Sequence, residues 1–484
     1  MTDQVFSSEL IRPTSSPPLE RSPYRPGWGD VLGVIAVLTT VAPVALWLRN
    51  HGLPWPLGMK STVGMLGLLC SLVATQLMLL LVVLMARIPW VERAWGHDLL
   101  ARRHRWIGFA SFWFMMGHVV ATSVDRISRD WSTAWQNLYD LFIIEPWMSW
   151  ATIGTVLILA AMVTSIRRAR RRLRYESWHL VHLYTYLGLV LILPHILVTG
   201  PEFHDAWPRV YLWTEYVLAG AAIVVFRFGL PLFRSWRHRI VVDGVRHEIP
   251  GVVSVSLTGR YLDKLGAVSG QFFIWRFLDG PGWLRGHPYA LSAAPTDQGM
   301  RITIRASGDG SARAAELRPG TRVLIEGPYG TLTARERRWP RMLLLAAGVG
   351  ITPLRALVED TQYLPGEATV VYRYGDEEHA LFRSELEELA RERGFELVLL
   401  PGPRRSDGSW LPAAPGPAPE GSNPDERDER DERDELAVLL DAAPDVVYRD
   451  VFVCGPTPWV AAVRATLRRV GVRSDDIHSE VFAW

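Results

Sequence analysis

Six long apolar runs constrain this chain more than anything else in it. They lie near residues 31–48, 62–86, 106–123, 149–166, 178–199 and 210–230. Each is close to the ~20 helical residues that cross the hydrocarbon of a bilayer. An even number of crossings leaves both ends of the chain on one side. Arginine decides which side. Arg87, Arg93, Arg102, Arg103 and Arg105 separate the second and third runs. Arg167, Arg168, Arg170, Arg171, Arg172 and Arg174 separate the fourth and fifth, and Arg234, Arg237 and Arg239 follow the sixth. The other connections are poor in arginine, so the basic side is read as cytoplasmic. Buried helices of a large soluble core would not produce that alternation. Residues 1–30 are polar and Pro-rich, lack a short apolar core with a cleavage site, and read as a cytoplasmic tail rather than a signal peptide.

Histidines stand inside two of the runs. The third carries His104 and, fourteen residues on, His118. At 100° per residue the two differ by only ~40° around a helix and by ~21 Å along it. The fifth carries His179, His182 and His195. His182 and His195 are ~20 Å apart along the axis, and Pro194 can rotate the last turn between them. Both runs cross in the same direction. His104 and His182 therefore share an inner level, and His118 and His195 an outer one. One imidazole from each of two helices at each of two levels is an arrangement for two stacked b-type haems, because neutral imidazole is an axial ligand of haem iron. A single membrane histidine is as often a polar packing residue; four at matched depths carry the reading. His179 competes with His182 for the inner place. Phe112 and Trp113 fall between the two levels and are read first as packing residues.

From residue 234 the composition changes to that of a soluble protein. Strand-like runs (IVVDG, VVSVSLTG, GQFFIWRF, MRITIRAS, TRVLIEGPYG) alternate with Gly and Pro turns and predict an antiparallel β-barrel over 234–336. Over 337–484 strand, glycine turn and helix alternate, predicting an α/β domain with a parallel sheet. In MLLLAAGVGITPLRALVED (342–360) an apolar strand runs into Gly348, Gly350, Thr352 and Pro353. Glycines there let the backbone approach a phosphate, and the new helix offers free N–H groups. Two cysteines in the whole chain exclude a disulfide framework, a cysteine zinc site and an iron–sulfur cluster. With 52 basic against 50 acidic residues there is no bulk positive charge for nucleic acid.

Three further segments complete a pattern: His287-Pro288-Tyr289-Ala290-Leu291-Ser292, then Gly308-Asp309-Gly310-Ser311, and Cys454-Gly455-Pro456 after an apolar strand. In this order the soluble half resembles the ferredoxin–NADP reductase family. Joined to six spans with paired histidines, residues 31–484 resemble the membrane ferric reductases and NADPH oxidases. The resemblance implies FAD on the barrel and NADPH on the parallel-sheet domain. Tyr289 would lie against the isoalloxazine ring, with His287 near the ribityl or phosphate, and Pro288, Ala290, Leu291 and Ser292 of the same segment would also bind the cofactor. Gly308, Gly310 and Ser311 would cradle the FAD pyrophosphate. Gly348, Gly350, Thr352 and Pro353 would meet the pyrophosphate of the nicotinamide nucleotide. Cys454, Gly455 and Pro456 would sit beside the nicotinamide. Phe482, near the C-terminal end, would cover the flavin, with Trp484 as the alternative. Arg373, which ends the second strand of the nucleotide domain where an acid would suit NADH, leans the choice to NADPH; NADH stays open, as does pairing of Arg373 with Asp376 or Glu377. Ala290 stands where the family often has a hydroxyl near flavin N5. Thr122 stands where its oxidases tend to carry a further histidine.

The resulting organisation is a tail (1–30), a six-helix transmembrane haem domain (31–233), an antiparallel FAD barrel (234–336) and an NAD(P) domain (337–484). Residues 403–436, with their DERDERDERDEL repeat, are expected to form a disordered, charged insertion without chemistry. No calcium-binding loop of the EF-hand type is present in the sequence. The expected activity is NADPH-dependent electron transfer through FAD and two haems to an external acceptor. Ferric iron is placed first and oxygen second. An electron-donating subunit for a partner protein or a quinone is the alternative. Asp125, Asp130, Asp140 and Glu145 are candidates for a weak outer metal site.

Overall fold

The computed structural model describes residues 27–51, 59–170, 172–173, 175–199, 206–280, 285–306, 311, 313–405, 408–413 and 434–481. The chain divides into two compact units, residues 26–228 and residues 229 onward.

The first unit is helical. Its long helices are α1 (Trp28–His51), α2 (Met59–Met85), α3 (Pro89–Arg129), α5 (Met148–Ser165), α7 (Tyr175–Thr199) and α8 (Ala206–Ala222). Together with the continuation of α8 through Ile223–Gly229 into α9 (Leu230–His238), they supply six helices long and apolar enough to cross a membrane. Two short helices, α4 (Ala134–Tyr139) and α6 (Arg167–Arg170), lie in the connections. The third helix runs well beyond the expected 106–123. Its first part, from Pro89, is set off by Gly96, whose φ of 69° breaks the helical path.

Two helix pairs form the frame, α2 with α3 and α5 with α7. Small residues bring each pair together. A Cβ on Gly67 would stand 3.1 Å from that of Ala121, and one on Gly117 would stand 3.3 Å from Cys70 Sγ. Between α5 and α7 a Cβ on Gly154 would meet the Gly188 carbonyl at 2.6 Å, so neither glycine tolerates a side chain. The two pairs meet at mid-depth in an apolar cluster of Ala74, Met78, Phe112, Met115, Ile158 and Leu189. Trp113 is mostly exposed on the bundle surface, while Phe112 packs inside.

In the second unit, two three-stranded antiparallel sheets make the barrel: β1 (Val241–Ile249), β2 (Val252–Thr258) and β5 (Met300–Arg305), then β4 (His287–Ala290), β3 (Phe272–Phe277) and β6 (Val323–Tyr329). The bridges Val241–Arg322 and Leu291–Ile302 join one sheet to the other. Alternation fixes which face is core. In FFIWRF, Phe273, Trp275 and Phe277 are buried while Phe272, Ile274 and Arg276 are not.

The parallel sheet has the order β11 (Ile477–Val481), β10 (Arg449–Gly455), β7 (Arg341–Ala347), β8 (Ala368–Tyr374), β9 (Glu396–Pro401). Its central strand is buried on both sides, as a near-continuous apolar run requires. Met342, Leu344 and Ala346 pack with helices α10 (Ile351–Asp360) and α11 (Arg383–Arg393). Leu343, Leu345 and Ala347 pack toward α12 (Thr457–Arg469). The roots of the charged insertion are built into this second layer. Trp410 is buried, and the Glu435 carboxylate accepts hydrogen bonds from Ser409 Oγ (2.7 Å) and Thr466 Oγ1 (2.5 Å). The expectation of disorder over the whole of 403–436 therefore fails at both ends, where burial of Trp410 and a hydrogen-bonded carboxylate fix the chain. Residues 414–433 lie outside the described residues.

Candidate functional site

In the helical unit α3 and α7 bring their histidines together in pairs. The rings of His104 and His182 stand 6.1 Å apart, centroid to centroid, and those of His118 and His195 stand 6.5 Å apart. His182 rather than His179 faces His104. His179 lies against Trp178, at 6.2 Å. Two imidazoles sharing one iron would need about 2 Å per iron–nitrogen bond plus about 1.1 Å from nitrogen to ring centre, or ~6.2 Å in all. Both pairs fit that spacing. The Nδ1 atoms of His104 and His182 are buried without a hydrogen-bond partner. His118 Nδ1 lies 2.9 Å from the Gly67 carbonyl oxygen. That oxygen can only accept, so Nδ1 carries the proton and Nε2 keeps its lone pair free for a metal. The residues present therefore suit two haem groups, one per histidine pair.

A cavity of about 420 Å³ opens beside the second pair, walled by Leu72, Met115, Leu189 and Ile192 and reaching both His118 and His195. Asp125 and Glu145 reach this cavity, but the candidate acids do not converge on one point. Glu145 is paired with Arg126, Asp130 accepts from Ser132 N and Oγ (2.9 and 2.6 Å), and Asp140 accepts from Gln136 Nε2 (3.0 Å). Among the described residues no group of three metal-binding side chains exists. The weak outer metal site expected from Asp125, Asp130, Asp140 and Glu145 is thus not formed: Asp125 stays on α3, while Asp130, Asp140 and Glu145 are each engaged by other side chains or backbone. Sequence reasoning passed over Glu215, a lone acid in an apolar run, which accepts from Gln76 Nε2 at 2.8 Å inside the bundle. An ionisable residue at membrane depth was itself the signal.

In the second unit the strand order turns back on either side of β7, between β10 and β8. Open parallel sheets bind ligands at the carboxyl ends of strands flanking such a point. Gly348–Gly350 follow β7 there, and Cys454 and Gly455 end β10. A side chain on Gly350 would collide with the Cys454 carbonyl, and one on Gly455 would come 2.9 Å from Trp459. The two turns therefore touch backbone to backbone. Thr352 Oγ1 donates to the Val349 carbonyl (2.9 Å), and Thr352 and Pro353 are buried in the first turn of α10. Pro456 precedes α12 at its N-cap. Burial, reinforced by the Glu480 carboxylate, pushes the Cys454 thiol well above its usual range and keeps it protonated.

Arg373 stands next to last in β8 with Arg404 beside it; burial and that second guanidinium both pull its pKa down. Its guanidinium makes a long hydrogen bond, 3.5 Å, to the Gly402 carbonyl. Asp376 and Glu377, the alternative partners, are engaged by His379 (2.6 Å) and by Arg383.

On the barrel, His287 and Tyr289 project from the same face of β4 with parallel rings 5.9 Å apart. Burial first, then the neighbouring Arg285 and Arg276, lower the His287 pKa and keep the ring neutral. Burial pushes the Tyr289 phenol up to about 12. Pro288 is exposed, whereas Ala290 is buried. Leu291 is part of the barrel core. Ser292 Oγ accepts from Thr303 Oγ1 (2.8 Å), which in turn pairs with Ser254 (2.8 Å). The side chains of Leu291 and Ser292 thus brace the barrel. Ser311 is half-buried at a helical position. Gly308, Gly310, Phe482 and Trp484 lie outside the described residues.

These features define a multi-pass membrane protein with paired histidines, joined to a barrel and a parallel-sheet nucleotide fold. Residues 70–193 match the family model described as ferric reductase like transmembrane component, so the chain carries that transmembrane domain. The chain is similar to the ferredoxin reductase component of 3-ketosteroid-9-alpha-monooxygenase from Mycolicibacterium smegmatis, 30% identical over 229 residues, which are 46% of this chain and 57% of that one. It is also similar to mouse NADPH oxidase 1, 26% identical over 170 residues, 34% of this chain and 27% of that one. The chain therefore spans little more than half the length of the first relative and about a quarter of the second. Among solved structures, the flavohem-like FAD/NAD binding domain of nitric oxide dioxygenase from Vibrio cholerae aligns with 51% of this chain and 99% of its own, at 22% identity and a TM-score of 0.37.

Proposed function

We propose that the protein is a transmembrane oxidoreductase moving electrons from cytoplasmic NADPH through FAD and two b-type haems to an acceptor on the far side, with ferric iron the first choice. The observation that carries this reading is the pair of imidazole pairs, 6.1 and 6.5 Å across, on helices that cross in the same direction. When bound, FAD accepts a hydride and releases electrons singly, and each haem carries one of them. The chain's own residues supply placement. His104 with His182, and His118 with His195, would each hold one haem, the two pairs lying ~20 Å apart along their helices. The touching turns at Gly350 and Gly455 leave a backbone surface against which a nucleotide pyrophosphate can lie. Arg373 and Arg404 offer two cations to the 2′-phosphate that distinguishes NADPH. Tyr289, buried with its ring parallel to that of His287, would lie against the isoalloxazine ring, with the neutral His287 near the ribityl or phosphate. Cys454, buried at the end of β10 with its thiol protonated, would sit beside the nicotinamide.

Similarity to NADPH oxidase 1 favours oxygen as a second acceptor, and similarity to a monooxygenase reductase component favours a protein acceptor. Steady-state NADPH oxidation by the purified protein, with and without ferric citrate and with superoxide followed in parallel, tests the proposal. Rapid ferric citrate-dependent oxidation with little superoxide supports ferric reduction. Oxidation matched by superoxide selects the oxidase reading, and no oxidation without an added protein or quinone selects the donor reading.

A further inference from the structure

The two histidine pairs are alike in spacing but not in surroundings. At the second pair the Gly67 carbonyl accepts a hydrogen bond from His118 Nδ1–H at 2.9 Å, and Thr122 Oγ1 stands 3.4 Å from the same nitrogen. At the first pair the Nδ1 atoms of both His104 and His182 lack any partner. His182 is instead covered by the indole of Trp178, stacked at 5.3 Å and 25°. The Arg170 guanidinium lies 4.3 Å above that indole, whose Nε1 donates to Ser165 Oγ (3.2 Å).

These differences act in opposite directions on a bound iron. A hydrogen bond from Nδ1–H to a carbonyl makes the imidazole a stronger donor, which stabilises the ferric state and lowers the reduction potential. Imidazoles with no such bond donate less. A guanidinium one ring removed from the ligand stabilises the less positive, ferrous state and raises the potential, more strongly where water is scarce.

We propose that the Gly67 carbonyl and the Arg170–Trp178 stack are positioning elements that set the two irons at unequal potentials, the His118–His195 iron being the stronger reductant. Under the functional reading on which this rests, the last transfer to the external acceptor starts from the more reducing centre.

The test uses the full-length protein in detergent with haem incorporated. Haem per chain is counted first. The protein is then titrated with dithionite in the presence of mediators, each ferric iron taking one electron, and reduction is followed in the Soret and α bands. Two resolved steps are expected in the wild type. Gly67→Ala, whose added methyl meets Ala121 at 3.1 Å and pushes the carbonyl from His118, raises the lower step alone. Arg170→Gln lowers the upper step alone. The gap narrows in each variant while haem content stays at two. A single unresolved step in the wild type, a shift of the wrong step, or equal shifts of both would overturn the assignment. Should Gly67→Ala lose a haem, Arg170→Gln decides by itself. Fewer than two haems per wild-type chain would overturn the underlying haem reading, an outcome read before any potential is measured.

Discussion

Two single residues decide questions that no element decides. Arg373, with Arg404 for a neighbour, would under the proposed function meet the 2′-phosphate of NADPH. Losing a charge-assisted contact of this sort costs about 1.5–3 kcal/mol. Arg373→Ala is therefore expected to raise KM for NADPH roughly 10- to 100-fold, with KM for NADH little changed; steady-state kinetics with both nucleotides checks it. Glu385 is the second case. Its carboxylate meets Arg301 (2.8 Å), Arg246 (2.7 Å) and Arg355 (3.1 Å), joining the barrel to the nucleotide domain. Burial alone would raise its pKa, but the hydrogen bond and charge of Arg301, then Arg246 and Arg355, outweigh burial and hold it at about 2. A depressed folded pKa means that the stabilisation is complete above the unfolded value near 4.5 and is lost as pH falls toward 2. Glu385→Gln should lower the melting temperature at pH 7, and the wild-type and variant curves should converge as the pH is taken below about 4.5.

At the scale of elements, the glycine contact between α5 and α7 is the tightest joint in the helical unit. Filling it with a larger side chain overpacks a close helix pair, at a cost of about 1–3 kcal/mol. Gly154→Val is expected to lower the thermal midpoint and, by shifting α7, to reduce bound haem per chain; calorimetry and a pyridine haemochrome assay read the two effects. How much of this was legible in the sequence follows from the range of the forces involved. The spans, the four histidines and the β7–glycine–α10 turn declare themselves by composition and short spacing. The strand β4 did not, because it has only four residues and includes Pro288, which suits an edge strand that needs no ladder N–H there. The meeting of Gly154 with Gly188 is a contact across 34 positions of chain, invisible to local periodicity. The same holds for Glu435, whose partners Ser409 and Thr466 lie on either side of it, far along the chain. The acids after α3 misled because other partners engage them: Ser132 and Gln136 hold Asp130 and Asp140 within one turn, and Arg126 reaches Glu145 across 19 positions.

For the molecule as a whole, the distribution of arginine predicts the topology. In sealed vesicles of known orientation, the soluble unit should be open to protease only where the cytoplasmic face points outward. Cleavage confined to the opposite orientation would reverse the direction of electron flow proposed above.

The helical bundle is two prefabricated halves. One half, α2 with α3, and the other, α5 with α7, are each zipped by small residues, whereas they meet across the middle mainly through side chains and contribute one imidazole apiece to every pair. A group bound between those imidazoles would act as a rivet. Its binding free energy then becomes assembly free energy; if that group is haem, as proposed above, a cell starved of it would hold a chain whose halves are inserted but not yet fastened.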